Sequence, residues 1–374
     1  MSPDSGLPTP RVSGIRPVLI TGGAGFIGCN LADRLAGEGH HVLVYDALTR
    51  PGVEANIAWL KQRQPRRISA IIADIRDDAA LREAASRAKA VFHYAAQVAV
   101  TTSLADPMVD FEINARGTVL LLEALRRQPE PPPLIFASTN KVYGDLSDVA
   151  LECDGRRYFP IDPTLRRHGV DESRPLDLHT PYGCSKGAAD QYVLDWARSY
   201  DVPTAVLRMS CIYGQRQLGT EDQGWVAHFL RMALAGEPIT IYGDGRQVRD
   251  ILNVRDAVGA YVAAWQRIGR VTGRAFNLGG GPRNAVSLLE IVGEIERRLR
   301  RRVALRFEEW RSGDQRYFVA DTRRISAALS LPPPLGWRHG IAELADWLQG
   351  RREEDARTPA PAIRKIANPQ ELVS

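Results

Sequence analysis

Long apolar runs and paired cysteines are both missing from this chain of 374 residues. No stretch approaches the roughly twenty apolar residues that a membrane-spanning helix requires, and the first sixteen residues lack the apolar segment of a secretory signal peptide. We therefore expect a cytoplasmic protein without a membrane partner. The cysteines show no paired spacing, so the sequence predicts neither a disulfide framework nor a metal site. They are Cys29, Cys153, Cys184 and Cys211.

Lysine is also scarce, since it supplies only five of the 49 basic residues. The formal net charge is only +5, and no basic cluster alternates with aromatic residues as in nucleic-acid-binding surfaces. We therefore predict no nucleic-acid partner. The scarcity also makes individual lysines informative, because Lys141 and Lys186 both fall inside candidate site motifs.

A glycine-rich loop is the first motif that indicates a ligand. Gly22, Gly25 and Gly28 follow the apolar strand predicted at Val18–Thr21, and apolar residues at helical spacing begin at Phe26. Glycine lets the backbone approach phosphate oxygens closely, while the unpaired amides at a helix N-terminus face the negative charge. The loop therefore predicts a site for a dinucleotide pyrophosphate.

Strands and helical segments continue to alternate through the first half of the chain. Five further strands are predicted, at His41–Tyr45, Ile68–Ile72, Ala90–Tyr94, Leu134–Ala137 and Ala205–Met209. This alternation favours an α/β fold with a Rossmann-type doubly wound parallel sheet. In such a sheet, ligands bind at the carboxyl ends of the strands.

The predicted cofactor site lies at those strand ends. Asp46 comes eighteen residues after Gly28, where an acid meets the hydroxyls of the adenosine ribose. An acid there repels the 2′-phosphate of NADP, so we predict NAD, although Arg50 nearby could accommodate such a phosphate. The complete predicted set is Gly22, Gly25, Phe26, Ile27, Gly28, Asp46, Asp74, Ile75, Ala95, Ala96, Tyr182 and Lys186.

Thr139, Tyr182 and Lys186 are the candidate catalytic residues. Tyr182 and Lys186 stand four apart on a predicted helix, so both side chains share one face. A neighbouring ammonium favours the phenolate, so we expect Lys186 to lower the pKa of Tyr182 from its usual value of about 10. Tyr182 would then accept a proton from a substrate hydroxyl as hydride leaves the same carbon. Thr139, which ends the fifth strand beside Ser138, would hold the reacting oxygen.

From about Pro17 to Trp347, the chain resembles the extended short-chain dehydrogenase/reductase superfamily. Further matching segments are Asn114, Tyr242–Asp250, Asn277–Gly279 and Arg311–Asp321. The resemblance implies an N-terminal Rossmann domain for NAD(P) and a smaller C-terminal substrate-binding α/β domain for a nucleotide-diphosphate sugar. It also implies that Arg249 and Arg316 hold the substrate diphosphate, because a guanidinium is a planar, permanently charged donor.

The resemblance also implies how the chain is organised. Residues 14–210 would mainly form the NAD-binding domain and residues 211–350 mainly the nucleotide-sugar-binding domain, with the chain crossing between them. Helices such as Phe111–Arg127 and Tyr182–Tyr200 would join copies into a homodimer or a higher homo-oligomer. The polar, proline-containing ends, 1–13 and 351–374, are expected to be flexible.

The residues after Thr139 bear on the type of reaction. In nucleotide-sugar 4,6-dehydratases these two positions typically hold an Asp-Glu pair, which supplies the acid and base that eliminate water. Here they are Asn140 and Lys141. We therefore expect oxidation and re-reduction by one cofactor, which amounts to epimerisation.

Among epimerases, the chain resembles the CDP-paratose 2-epimerase group. The similar segments are Ser138–Asp145, the insertion at 146–180, Pro181–Gln191 and Asp222–Val226. This resemblance implies oxidation at C2 of the sugar by bound NAD, with Tyr182 acting as base and then as acid. The further candidate substrate contacts are Gln97, Ser138, Arg216 and Gln223.

Several alternatives stay open at this point. Spacing alone does not distinguish C2 from C4 as the reacting carbon. The chain could instead be another nucleotide-sugar enzyme, such as a 4-epimerase or a 4,6-dehydratase, or a noncatalytic dinucleotide sensor. The insertion at 146–180 either shapes the sugar pocket or forms a passive surface loop.

Overall fold

The computed structural model describes residues 16–357. In chain order its strands are β1 (Val18–Thr21), β2 (Val42–Asp46), β3 (Ile68–Ile72), β4 (Ala90–His93), β5 (Leu134–Thr139), β6 (Leu151–Cys153), β7 (Tyr158–Pro160), β8 (Thr204–Met209), β9 (Cys211–Tyr213), β10 (Ile239–Tyr242), β11 (Val248–Asn253), β12 (Arg274–Leu278), β13 (Ala285–Ser287), β14 (Leu305–Glu308) and β15 (Tyr317–Phe318).

The α-helices in the same range are α1 (Phe26–Gly37), α2 (Glu54–Arg63), α3 (Asp78–Ser86), α4 (Val100–Ala105), α5 (Pro107–Phe111), α6 (Gly117–Arg126), α7 (Pro163–His168), α8 (Thr180–Ser199), α9 (Trp225–Ala235), α10 (Val254–Gln266), α11 (Ile268–Val271), α12 (Leu288–Leu299), α13 (Arg323–Leu329) and α14 (Trp337–Arg357). A π-helical turn covers Glu112–Arg116, and 3₁₀ turns cover Asn140–Tyr143 and Pro282–Asn284.

A seven-stranded sheet in the order β3-β2-β1-β4-β5-β8-β12 forms the centre of the molecule. All neighbouring strands in it are parallel. The predicted Rossmann-type fold is confirmed, and the six predicted strands agree with β1, β2, β3, β4, β5 and β8 to within two residues at either end. The seventh strand, β12, is not predicted from the sequence.

Helices cover both faces of this sheet because side chains alternate along each strand. Val18 and Ile20 lie in a core layer with residues of α1, α2 and α10, whereas Leu19 between them lies in a layer with residues of α3, α6 and α8. All three side chains are fully buried. Burial on both faces explains why the strands are almost continuously apolar.

The smaller C-terminal part contains the parallel pair β10 and β14, and β11 flanked by β13, β15 and β9. Residues of α9, α12 and α14 form its core. The chain crosses between the two parts, since α10 packs against α1 and β12 joins the central sheet. The division near residue 210 itself stays a prediction.

The predicted helix Phe111–Arg127 is interrupted. It consists of α5, the π-helical turn and α6, and the wide turn directs Asn114 toward the neighbouring helix α8. Asn114 Nδ2 donates to Ser185 Oγ at 3.1 Å and to Asp110 Oδ1 at 3.1 Å. The extra residue in the turn therefore serves a buried polar contact, and π-helical turns often lie at functional sites.

The two predicted flexible ends are mostly outside the described residues. Segment 1–13 lies wholly outside them, and α14 runs to Arg357, seven residues into the segment predicted as a flexible tail. Within residues 16–357, no helix combines the length and the apolar character needed to cross a membrane.

A buried ion pair ties α8 to β8 and is the basis of a stability prediction. Arg208 donates from Nε and Nη2 to the two carboxylate oxygens of Asp190 at 2.9 Å each, and both side chains are buried. Replacing Arg208 by Met leaves the buried carboxylate of Asp190 without its cation. We expect Arg208→Met to lower the free energy of unfolding by about 3–5 kcal/mol, measured by urea denaturation.

The surface pair between Arg198 and Asp195 provides the control for that measurement. Its arginine is largely exposed, so Arg198→Met should cost less than about 1 kcal/mol. Equal losses in the two variants would contradict the importance assigned to the buried pair.

Candidate active site

Two adjoining cavities of about 570 and 420 Å³ open at the carboxyl ends of the central strands. Every residue predicted to bind the cofactor lines the larger one, which we call the dinucleotide cavity. The smaller one, the second cavity, is lined largely by residues of the C-terminal part. Thr139 and Tyr182 line both cavities, so the two candidate catalytic hydroxyls lie where the cavities meet.

The glycine-rich loop fits a dinucleotide because its backbone leaves no room for side chains. Gly22 has φ +67°, and a Cβ atom there would lie 2.6 Å from the backbone nitrogen of Ala95. A Cβ atom on Gly28 would lie 2.7 Å from Cα of Gly23. Helix α1 has no side-chain cap and no acidic residue in its first turn, so its N-terminal amides suit an anion such as a pyrophosphate.

Asp46, the last residue of β2, holds the glycine-rich loop in place. Its carboxylate accepts the backbone N–H groups of Ala24 and Leu48, each at 2.9 Å. Further along the cavity, Asp74 is paired with Arg76 at 2.7 Å, and hydrogen bonding to that guanidinium lowers the pKa of Asp74. Both carboxylates are therefore held in place before any ligand binds.

Tyr182 and Lys186 have the predicted relative placement but not the predicted electrostatics. Burial raises the pKa of Tyr182 to about 12, although a hydrogen bond with Thr139 acts to lower it. Burial also lowers the pKa of Lys186 to about 7. Its ammonium donates to the carbonyl of Ala137 at 2.7 Å and lies 4.1 Å from the ring centroid of Phe136.

The expected lowering of the Tyr182 pKa by Lys186 is therefore wrong for the protein alone. Burial is the main cause of the raised pKa of Tyr182, and the ammonium of Lys186 instead donates to the backbone carbonyl of Ala137.

A buried polar cluster beneath this pair is not predicted from the sequence. Ser185 Oγ donates to Asp110, which also accepts from Asn114, and burial raises the pKa of Asp110. The backbone N–H of Tyr182 donates to Ser103 Oγ at 3.2 Å. The available signal is helical spacing, because Asp110 precedes Asn114 by four residues and Ser185 follows Tyr182 by three.

Three of the predicted substrate residues reach the cavities. Arg249 lines the second cavity and donates from Nη2 to Asp314 at 2.6 Å. Gln223 lines both cavities, and its buried Oε1 has no partner within the described residues. Ser138 lines the dinucleotide cavity, but its hydroxyl donates to Asp190 at 2.7 Å, so it supports the buried ion pair.

The other three predicted substrate residues line neither cavity. Arg316 is exposed and lies near the rings of Tyr158 and Trp310. Arg216 stacks on Trp59, with its guanidinium 3.8 Å from the ring centroid.

The amide of Gln97 folds back onto its own loop and bonds the backbone of Ala99 in both directions. The side chains of Gln97, Arg216 and Arg316 therefore each contact a neighbouring group in space that the sequence motifs do not reveal.

Two cations that were not among the predicted substrate contacts line the second cavity instead. Arg311 lies 3.8 Å from the ring centroid of Tyr242 and pairs with Asp222 at 3.2 Å. Lys141 is the other. Arg311 belongs to the same motif as Arg316, and of these two arginines only Arg311 lines a cavity.

Asn140 and the insertion also have clear placements. Asn140 Nδ2 donates to Gln315 Oε1 at 3.0 Å, and Gln315 Nε2 donates to the carbonyl of Gly144 at 2.6 Å, so a neutral amide is fixed beside Thr139.

Residues 146–180 contribute nothing to the lining of either cavity. The insertion packs on the C-terminal part, where Tyr158 donates to Asp244 at 2.6 Å.

The crowding at Gly28 gives a prediction about cofactor binding. We expect Gly28→Ala to push the loop out of place and to abolish co-purification of NAD, measured by assaying the dinucleotide released on denaturation. Gly37→Ala is the matched control at the other end of α1, because its Cβ atom would lie no closer than 3.7 Å to any neighbour. Full NAD content in Gly28→Ala would contradict the assignment of the loop.

Comparison with known proteins is consistent with this geometry. The chain is 41% identical over 339 residues to CDP-paratose 2-epimerase of Salmonella typhi, covering 88% of this chain and 98% of that protein.

Its structure resembles that of UDP-glucose 4-epimerase of Thermus thermophilus in complex with NAD, with a TM-score of 0.75 and 29% identity. The similarity covers 89% of this chain and 99% of that chain. It also resembles that of UDP-glucuronic acid 4-epimerase of Bacillus cereus in complex with UDP-glucuronic acid and NAD, with a TM-score of 0.76 and 27% identity. Here the similarity covers 90% of this chain and 99% of that chain.

Residues 18–279 match the model of one family, and they include the glycine-rich loop, Thr139, Tyr182 and Lys186. The chain therefore belongs to the NAD dependent epimerase/dehydratase family.

Proposed function

We propose that this protein epimerises a nucleotide-diphosphate hexose at C2 by transient oxidation and re-reduction with bound NAD. The observation that carries the proposal is the meeting of Thr139 and Tyr182 at the junction of the dinucleotide cavity and the second cavity, which holds Lys141, Arg249 and Arg311. The identity of 41% to a CDP-paratose 2-epimerase supports C2 as the reacting carbon and CDP as the carrier.

The residues that would hold the cofactor are those of the dinucleotide cavity. The glycine-rich loop and the N-terminus of α1 would receive the pyrophosphate, and Asp46 the adenosine ribose. When bound there, NAD supplies an acceptor for the C2 hydride and later returns it.

Tyr182 carries the proton in both directions. It takes the proton from the C2 hydroxyl as the C2–H bond breaks, which leaves a 2-keto sugar, and Thr139 bonds the same oxygen. After the ketone presents its other face, Tyr182 returns the proton to that oxygen as C2 is reduced. No atom is lost, so substrate and product are isomers.

This role requires a lower pKa than the protein alone gives Tyr182. Burial makes the phenol a weak acid, with a pKa of about 12. Lys186, whose charged form the carboxylates of Asp190 and Asp110 favour, and a positively charged nicotinamide ring both favour the phenolate. The base is therefore active only when the dinucleotide cavity is filled.

Elimination of water is disfavoured by the fixed amide of Asn140. A 4,6-dehydratase needs an acid and a base beside the oxidised carbon. Asn140 is neutral and hydrogen-bonded to Gln315, and its neighbour Lys141 is a cation. The site therefore supports oxidation and reduction of one carbon without dehydration.

We expect Tyr182→Phe to reduce turnover at least about a thousandfold while NAD stays bound, because proton transfer is lost and the cavity is otherwise unchanged. Product formation is followed by NMR with a CDP-hexose, and NAD by its release on denaturation. Tyr192→Phe, which alters an exposed tyrosine on the same helix, is the control and should be fully active. Normal turnover in Tyr182→Phe would contradict the assignment of Tyr182 as the base.

The reacting carbon is tested with deuterium. Substrate labelled at C2 should give an epimer of unchanged mass that keeps the label at C2, because the hydride returns from the same cofactor. An epimer inverted at C4 would assign a 4-epimerase, and a product lighter by one water would assign a dehydratase.

Homodimer formation is the form of assembly that we propose. Large apolar side chains are exposed on neighbouring helices, with Met108 66% and Phe111 48% exposed on α5, and Tyr192 and Tyr200 on α8 and just after it. Two copies that pack these helices together would bury the patch symmetrically. The cytoplasmic location stays a prediction.

We expect Phe111→Glu to convert the dimer to a monomer in analytical ultracentrifugation, because a carboxylate would be desolvated at the interface. Phe307→Glu, on β14 and similarly exposed, is the matched control and should leave the mass unchanged. Dissociation by both variants, or by neither, would contradict an interface on α5 and α8.

A further inference from the structure

Lys141 lies in the second cavity with no role in the proton and hydride transfers described above. Its ammonium donates to the carbonyl of Gly313 at 3.0 Å and lies 3.8 Å from a carboxylate oxygen of Asp314. Its surroundings are desolvated, and burial lowers the pKa of Lys141 although Asp314 acts to raise it. The Lys141 side chain is 23% exposed and lines the cavity, so the N–H groups of its ammonium that no protein oxygen accepts can donate to a ligand there.

Lys141 and Thr139 are parts of one short turn. The backbone N–H of Lys141 donates to Thr139 Oγ1 at 3.2 Å and opens the 3₁₀ turn Asn140–Tyr143. Tyr143 anchors that turn in the core by donating to Asn277 at 2.8 Å. The hydroxyl that holds the reacting oxygen and the ammonium of Lys141 therefore keep a fixed relation to each other.

Lys141 also belongs to a charge cluster. Asp314 pairs with Arg249 at 2.6 Å as well as approaching Lys141, and these two cations hold the pKa of Asp314 below its usual value despite burial, which acts to raise it. One carboxylate between two cations leaves the group Lys141, Asp314 and Arg249 with one net positive charge. Arg311 on the same cavity is paired with Asp222, and Glu221 also lines the cavity. The side of the cavity that carries Lys141 and Arg249 is therefore suited to an anion.

The chemistry of the substrate decides where such an anion must lie. In a nucleotide-diphosphate hexose, the sugar-side phosphate is attached through oxygen to C1. C1 is bonded directly to C2, whereas C4 lies across the ring. When C2 is held at Tyr182, the sugar-side phosphate must therefore lie close to Thr139 and Tyr182, and a cation is needed there.

We propose that Lys141 binds the sugar-side phosphate of the substrate and so places C2, rather than C4, at Tyr182. This inference rests on the proposed 2-epimerase function. Arg249 and Arg311 would receive the remaining diphosphate charge, while the compact ammonium of Lys141 reaches the phosphate nearest the reacting carbon. Lys141 is thus a determinant of which carbon reacts.

The test compares nucleotides with and without the second phosphate. Calorimetric titration of the NAD-loaded protein with CDP and CMP measures both affinities, since only CDP carries a phosphate at the sugar-side position. Lys141→Gln should weaken CDP about ten- to hundredfold and CMP less than threefold, because only the contact to the second phosphate is lost. kcat/KM for the CDP-hexose should fall at least as much as CDP affinity.

Two further variants make the result specific. Arg306→Gln removes an exposed cation on β14 that lines neither cavity, and should bind both nucleotides as the unmodified protein does. Lys141→Arg keeps the charge and should recover much of the CDP affinity. NAD content and melting temperature are measured in each variant, so that misfolding is recognised.

Equal CDP affinity in Lys141→Gln and the unmodified protein would overturn the assignment, as would equal weakening of CDP and CMP. Either result would leave the deuterium experiment at C2 untouched. Conversely, inversion at C4 in the unmodified protein would overturn the proposed function and, with it, the selection of C2, whatever the nucleotide affinities.

Discussion

The ion pair between Asp190 and Arg208 holds the candidate active site together. Asp190 lies one turn after Lys186 on α8, and Arg208 lies on β8 of the central sheet. Because Asp190 also accepts from Ser138, the same carboxylate joins α8 to the end of β5, where Thr139 lies. The helix that carries Tyr182 and the strand that carries Thr139 are thus fixed to one buried anion, which is well satisfied by these donors.

Around this anchor, the site is assembled from desolvated polar groups. The phenol of Tyr182 is disfavoured as an anion and Lys186 is disfavoured as a cation, because both are enclosed. The protonation of both side chains is therefore sensitive to the charge of a bound ligand. The second cavity is lined by Lys141, Arg249 and Arg311 and by three carboxylates. Because Lys141 and Arg249 share the carboxylate of Asp314, one positive charge remains there for an anionic substrate. The dinucleotide cavity is therefore suited to the cofactor, and the second cavity to an anionic substrate.

The sequence predicted those features that follow from backbone topology. Parallel strands bring their carboxyl ends to one edge, so Gly22, Asp46 and Thr139 could be placed together without knowledge of any side-chain contact. Tyr182 and Lys186 share a helix face by spacing alone.

Long side chains were less predictable, because their direction is set by tertiary partners. Arg316 rests near Tyr158 in the insertion, and Arg216 rests on Trp59 in α2, both far along the chain. The direction of the Tyr182 pKa was mistaken for a similar reason, since the degree of burial depends on the completed fold.

The position of β12 has a consequence for how the chain matures during synthesis. This strand, Arg274–Leu278, completes the sheet that holds the glycine-rich loop, although β9, β10 and β11 of the C-terminal part precede it in the chain. Until the ribosome has released it, β8 presents an unpaired edge that invites association with other nascent chains. We therefore expect a truncated polypeptide that ends before residue 274 to aggregate, because β8 would keep an unpaired edge.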